Sequence, residues 1–263
     1  VGISLELPGS SYDQENLRFN TLHKYLLNKG ESYAKIPTDR FNIEAWKGHN
    51  LGQIGTENGT FLKHIDCFDN VEFGMSAKDA RAMAPSTRKL IEHCFLALYD
   101  SGINYRGRNI GCFTAGSIYE ITSVSDADEF DAEGSFAGAP SMIANRVSFH
   151  LDLTGPSIAS DTACSSSATA LHLAVNAIMS EDCEAAVVGG CQLNHRFADW
   201  FNYSQGHVLS KDGKCKPFDA SADGFSRGEG VVAIVIKPLN IALQDDDHIY
   251  GVASIESELS IGK

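Results

Sequence analysis

The stretch SIASDTACSSSATALHLAVNAIMS, residues 157–180, runs from a short β-suited segment through a cluster of small residues into an amphipathic helix. The strand is predicted to end near Asp161 and the helix to begin near Cys164, with Leu171, Ala174, Val175 and Ile178 as its apolar stripe. A strand that feeds straight into a helix is the building unit of α/β folds, where crossover helices cover a sheet.

The flanking chain repeats the theme. NIGCFTAG (109–116) reads as a short strand, and EAAVVGG (184–190) and the β-branched run VVAIVI (231–236) read as buried strands. VGISLELPG (1–9) reads as a strand already under way at the first residue. Pro85 opens a helix in which Leu90, Cys94 and Leu98 recur every fourth residue, with Gly102 as its stop. Leu17, Leu22, Tyr25 and Leu26 predict one face of another helix, closed by Gly30. VSFHLDL (147–153) alternates like a half-buried strand, yet Ile143, Val147 and Leu151 are spaced like a helix face, so periodicity leaves it open. Residues 202–230 read as a long polar loop.

Composition narrows the function classes. Among 263 residues, 43% are apolar and 21% charged, which suits a globular chain with a sizeable core. The excess of 34 acidic over 21 basic residues gives a net charge of -13, which repels phosphate backbones and argues against nucleic acid as a partner. No run approaches the roughly 18 apolar residues of a membrane span, and no basic-then-apolar leader opens the chain, so a cytoplasmic location is expected. The seven cysteines are odd in number and scattered, which predicts small buried thiols rather than disulfides. DADEFDAE (126–133) reads as a solvated acidic loop. The Val at position 1 and the ending SIESELSIGK suggest a piece of a longer chain.

A cysteine becomes a good nucleophile as its thiolate, and a helix N-terminus favours that form with unpaired N–H groups and positive dipole. Cys164 falls at such a terminus, and its small neighbours leave room for a substrate carbonyl. On spacing alone an inert buried thiol fits the position about as well. Ser165, Ser166 and Ser167 lie outside any GxSxG pattern and suit helix capping and packing. Cys183, Cys191 and His195 lack a CxxC pair, so no metal site is expected. Gly189 and Gly190 read as close-packing positions rather than a dinucleotide fingerprint. His172 lies eight residues along the helix from Cys164, on the order of 12 Å away at about 1.5 Å per residue. His150, His195 and His207 could approach only through tertiary folding, and all four read first as packed or surface histidines.

DTACSSS (161–167) resembles the active-site motif of the ketosynthases of modular and iterative polyketide synthases. PTDRFN (37–42), FLKHIDCFD (61–69), FGMSAKDARAM (73–83), ANRVSFHLDLTGPS (144–157), EDCEAAVVGG (181–190), LSKDGKCKPFD (209–219) and SRGEG (226–230) follow in that family's order. The resemblance covers nearly the whole chain and is to the N-terminal half of a β-ketoacyl synthase of the polyketide/fatty acid synthase type. It implies a thiolase-like layered α/β fold (αβαβα), of which residues 1–263 would supply the first half with a mixed five-stranded sheet, the C-terminal half being missing. It also makes ANRVSFH a helix. Half of a two-half core would leave a broad apolar face exposed.

The resemblance further implies a 3-oxoacyl-[acyl-carrier-protein] synthase-type acyltransferase. Cys164 would accept an acyl group from the phosphopantetheine of an acyl carrier protein, and a malonyl-type extender would then condense with it after decarboxylation. No cofactor would be bound by this domain itself, and a homodimer is implied. Phe218 in KPFD resembles a phenylalanine near the family's acyl site, with a core aromatic as the alternative. Arg227 and Glu229 read as an internal structural pair, and Lys211, Lys214 and Lys216 give their loop local positive charge. The family's two enolate-stabilising histidines belong to motifs that this sequence lacks. MAPSTR (83–88) and Glu72 depart from the family pattern and suggest a divergent subfamily of the fungal reducing type, and after Tyr250 GVASIESELSIGK (251–263) departs from the family's usual continuation. Two other readings stand beside this one: a catalytically incomplete fragment serving dimerisation or carrier binding, and a thiolase-type enzyme using coenzyme A thioesters.

Overall fold

The computed structural model describes residues 1–9, 15–48, 50–116 and 139–253. Its centre is a mixed five-stranded sheet in the order β1 (Gly2–Glu6), β7 (Gly230–Ile236), β6 (Ala185–Gln192), β4 (Ile110–Ala115) and β5 (Ser157–Ser160). β1 and β6 flank β7 antiparallel, with Ser4 opposite Ala233 and Val188 opposite Ile234. β4 lies parallel to β6 and β5, with Cys112 opposite both Val187 and Ser157. The predicted strands 1–9, 109–116, 184–190 and 231–236 thus all enter one sheet. A separate two-stranded ribbon pairs β2 (Tyr33–Lys35) with β3 (Asn58–Thr60).

One sheet face is covered by α3 (Pro85–Asp100), which follows the shorter α1 (Phe19–Leu27) and α2 (Ala77–Ala82), together with α4 (Met142–Leu151). Pro85 stands at the start of α3, where its missing N–H costs nothing, and Gly102 follows the end at φ 70. Leu90, Ile91, Cys94, Ala97 and Leu98 seal this helix against Val187, Val231, Ala233 and Val235. The segment that periodicity left open is helical: Ile143, Val147 and Leu151 of α4 are buried, and Asp152 ends it in the left-handed region at φ 55. Burial of that face decides against the alternating strand pattern.

The other sheet face carries α5 (Ser166–Met179). Its alanines 170, 174 and 177 touch Phe113, Ala186 and Val188, whereas Leu171, Val175 and Ile178 are only partly covered. The predicted stripe is therefore split, because the small side of the helix, not the large one, meets the sheet closely. Helix, sheet and helix form three layers of the thiolase-like arrangement, including the expected mixed five-stranded sheet.

Two elements differ from expectation. α1 buries none of its residues; of the predicted face, Leu26 is exposed and Leu17, which precedes the helix, bridges to Leu7. The region read as loop from 202 begins inside a helix, α6 (Phe197–Gln205), whose Trp200 is fully buried against Phe61 in a cluster with Ile36, Ile43 and Ile54. The short α7 (Leu239–Gln244) follows β7. The acidic segment 126–133 and the terminal residues from 254 lie outside the described residues.

Candidate active site

Cys164 lies in a single 3-10 turn, Ala163–Ser165, between the end of β5 and the start of α5, with its side chain exposed. The turn is tight because Ala163 is left-handed, at φ 57, a conformation that costs a side-chain-bearing residue about 1–2 kcal/mol. Hydrogen bonds hold it there. Asp161 Oδ1 accepts the Ala163 N–H at 3.0 Å, and the buried Ser166 hydroxyl accepts the Thr162 N–H at 2.8 Å while donating to the Ala163 carbonyl at 2.7 Å. Ser165 donates back to the Thr162 carbonyl at 2.9 Å. The serines predicted to cap the helix thus brace the turn before it.

Cys164 opens onto a groove of about 1110 Å³. One wall is the N-terminus of α5, the floor is the Gly189–Gln192 end of β6 beside Val232 and Ile234 of β7, and the far wall includes Tyr203, Phe225 and Arg227. The two glycines act as close-packing positions. A Cβ on Gly190 would stand 2.8 Å from Ser167 Oγ, and one on Gly189 would stand 3.0 Å from Cys94 Sγ. Gly190 therefore lets the start of α5 approach the sheet on one side, and Gly189 lets α3 approach on the other.

The far wall is fixed by a buried polar network. Arg227 donates twice to Asn194 Oδ1, at 2.6 and 3.0 Å, and its guanidinium lies over the Tyr203 ring at 4.4 Å. Glu229 accepts from Arg40 Nε and Nη2 and from the backbone N–H groups of Leu62 and Asn194, at 2.7–2.9 Å. Arg227 and Glu229 are accordingly not paired with each other: each is held to Asn194, one by its side chain and one by its backbone. Asn194, Arg40 and Tyr203 were invisible as site residues in the sequence, since no local pattern links positions so far apart.

Phe218 is fully exposed, in the left-handed region at φ 63, so the core-aromatic alternative fails; it is not among the residues lining the groove. No histidine lines the groove among the described residues. His172 pairs through Nε2 with Asn176 on its own helix, and both ring nitrogens of His195 are buried, a burial that pushes its pKa down. Two of the three loop lysines are paired: Lys214 meets Glu31 at 3.0 Å and Lys216 meets Asp223 at 2.7 Å. Four of the seven cysteines, 94, 112, 183 and 191, are buried as predicted, and Cys67, Cys164 and Cys215 are exposed.

The family model described as β-ketoacyl synthase, N-terminal domain, matches residues 1–242. The chain is 51% identical over 250 residues to the highly reducing polyketide synthase stpks1 of Strobilurus tenacellus, covering 95% of this chain and 9% of that protein. It is 37% identical over 272 aligned positions to the highly reducing polyketide synthase gloL of Glarea lozoyensis, covering 100% and 10% respectively. Among solved structures, the ketosynthase from module 6 of the bacillaene synthase of Bacillus subtilis 168 aligns with a TM-score of 0.81 at 29% identity, covering 95% of this chain and 41% of that one. An oxazolomycin ketosynthase domain of Streptomyces albus JA3453 aligns with a TM-score of 0.82 at 29% identity, covering 94% and 44%. The chain thus spans a small part of the curated relatives and less than half of the solved ketosynthases that it matches.

Proposed function

The chain belongs to the β-ketoacyl synthase family, and on that premise we propose that Cys164 is the acyl-accepting nucleophile of a polyketide-type ketosynthase. The observation that carries this reading is an exposed cysteine on a braced, left-handed turn at a helix start, open to a groove large enough for an acyl chain. Loading proceeds by addition of the Cys164 thiolate to a thioester carbonyl carbon. The oxyanion then collapses, the carrier C–S bond breaks, and the departing thiolate takes up a proton to balance the one lost by Cys164. The acyl donor is the phosphopantetheine thioester of an acyl carrier protein, and the extender is a malonyl-type thioester that condenses after losing CO₂. We extend the reading to a homodimeric, cytoplasmic synthase of the highly reducing class, in keeping with the two fungal relatives quoted above. None of the described helices is long and apolar enough to cross a membrane.

Full-length protein incubated with an acyl thioester tests the proposal by intact mass spectrometry. The wild type gains one acyl group, C164A gains none, and malonyl thioester then discharges it as a chain longer by two carbons. Acylation of C164A to the same extent overturns it. The absence of histidine from the described groove lining favours a second reading, in which this unit loads acyl groups or binds carrier without condensing. Stable acylation with no discharge by malonyl thioester selects that reading. Faster loading from coenzyme A than from carrier thioesters selects a thiolase-type enzyme instead.

A further inference from the structure

The carbonyl of Ala163 belongs to the same peptide group as the N–H of Cys164. All described peptide bonds are trans, so this N–H points opposite to that carbonyl. The carbonyl is held twice by Ser166: by its backbone N–H, and by its hydroxyl at 2.7 Å. The same hydroxyl accepts the Thr162 N–H at 2.8 Å, so one buried side chain ties together the peptide groups on both sides of the left-handed Ala163. Ser160 Oγ reaches the Ser166 carbonyl and the Thr114 carbonyl, each at 3.4 Å, which ties the clamp to the ends of β4 and β5. Ser166 is buried, whereas Cys164 is exposed in the groove. Drawing the carbonyl inward toward Ser166 therefore turns the Cys164 N–H outward.

We propose that the Ser166 hydroxyl is the positioning residue that sets the direction of the Cys164 backbone N–H, so that this N–H can donate to the oxyanion formed as the thioester carbonyl is attacked. The inference rests on the reading of Cys164 as the acyl acceptor. An oxyanion donor works only if it is already aimed where charge develops, so a peptide free to rock loses rate at the addition step without losing substrate affinity. Attack of the same thiolate on an alkyl halide builds no oxyanion and is indifferent to that donor. This difference separates aiming of the N–H from general damage to the turn.

The experiment uses full-length protein, an acyl N-acetylcysteamine thioester and iodoacetamide, with Cys164 occupancy followed by mass spectrometry. In S166A the saturating acylation rate is expected to fall about tenfold, the scale of one lost buried hydrogen-bond bridge, with KM within about twofold. Alkylation of Cys164 stays within about twofold of wild type, and S166T, which keeps the hydroxyl, restores acylation. If S166A does not fold, A163G/S166A supplies the comparison, because glycine adopts the left-handed turn without strain. Acylation at the wild-type rate in these hydroxyl-free variants overturns the proposal, as does a parallel fall in acylation and alkylation. A wild type that takes no acyl group at Cys164 instead overturns the acyl-loading reading, and this inference with it.

Discussion

The carboxylate of Glu229 closes on the guanidinium of Arg40, 189 residues earlier in the chain, through hydrogen bonds of 2.8 and 2.9 Å, and both side chains are buried. The pair joins the segment before β3 to the start of β7, and Glu229 also receives the backbone N–H groups of Leu62 and Asn194. Removing Arg40 strands the Glu229 charge in the interior, and removing Glu229 leaves the buried Arg40 with only the exposed Asp39 as ionic partner, at 3.0 Å. E229Q and R40M are each expected to lose about 3–5 kcal/mol in urea unfolding. The double variant R40M/E229Q should lose less than the sum of the two single changes, because the two side chains act as one unit. Additive losses in that cycle would show that they do not.

Glu6, on β1, carries a second prediction. Burial works to raise its carboxyl, but hydrogen bonds from His93 and Asn16 and the charges of Lys89 and Arg18 prevail and hold it at about 2, against an ordinary 4.5. A depressed carboxyl stabilises the fold fully above the unfolded value and progressively less as pH falls from about 4.5 through 2, since the unfolded chain binds the proton first. Discounting for partial solvent screening, this amounts to about 2 kcal/mol. E6Q should remove that part of the acid limb in a pH series of thermal melts. An unchanged acid limb would reject the assignment.

Thiol reactivity should divide the cysteines cleanly. Burial pushes Cys112 up to about 12 and raises Cys94 and Cys183, so these stay protonated and enclosed at neutral pH. Brief native alkylation should label Cys67, Cys164 and Cys215, and the four buried thiols should react only in denaturant. C164A should leave the melting temperature within about 2 °C of wild type, because an exposed side chain contributes little packing.

Phe218 can be assigned by separating stability from affinity. Its side chain is fully exposed, so F218A should change stability by no more than about 0.5 kcal/mol. If the phenylalanine serves the acyl site, the same variant raises KM for long acyl thioesters several-fold. An unchanged KM removes it from the acyl site.

The strands of the central sheet, the opening proline and the stop of α3, and the position of Cys164 at a strand-to-helix turn were legible in the sequence, because near neighbours encode them. The ordered motifs around DTACSSS added the family, and with it the helical reading of ANRVSFH (144–150) that periodicity left undecided. Ser166 was legible as a helix-start serine, but its hold on both peptide groups beside Ala163 was not. That role depends on a backbone angle, and an alanine at position 163 does not announce a left-handed turn.

What the sequence determined by itself was the set of local elements, the nucleophile candidate and the family, all written in spacing and short-range pattern. Tertiary structure alone decided which side of α5 meets the sheet, that Trp200 is buried, that Phe218 is not, and that Glu229 belongs to Arg40 while Arg227 belongs to Asn194 and Tyr203. These are contacts between distant segments. Their energy comes from burying apolar surface and from pairing the charges buried with it, and a charged or aromatic residue carries no mark of its partner until the chain has closed around it.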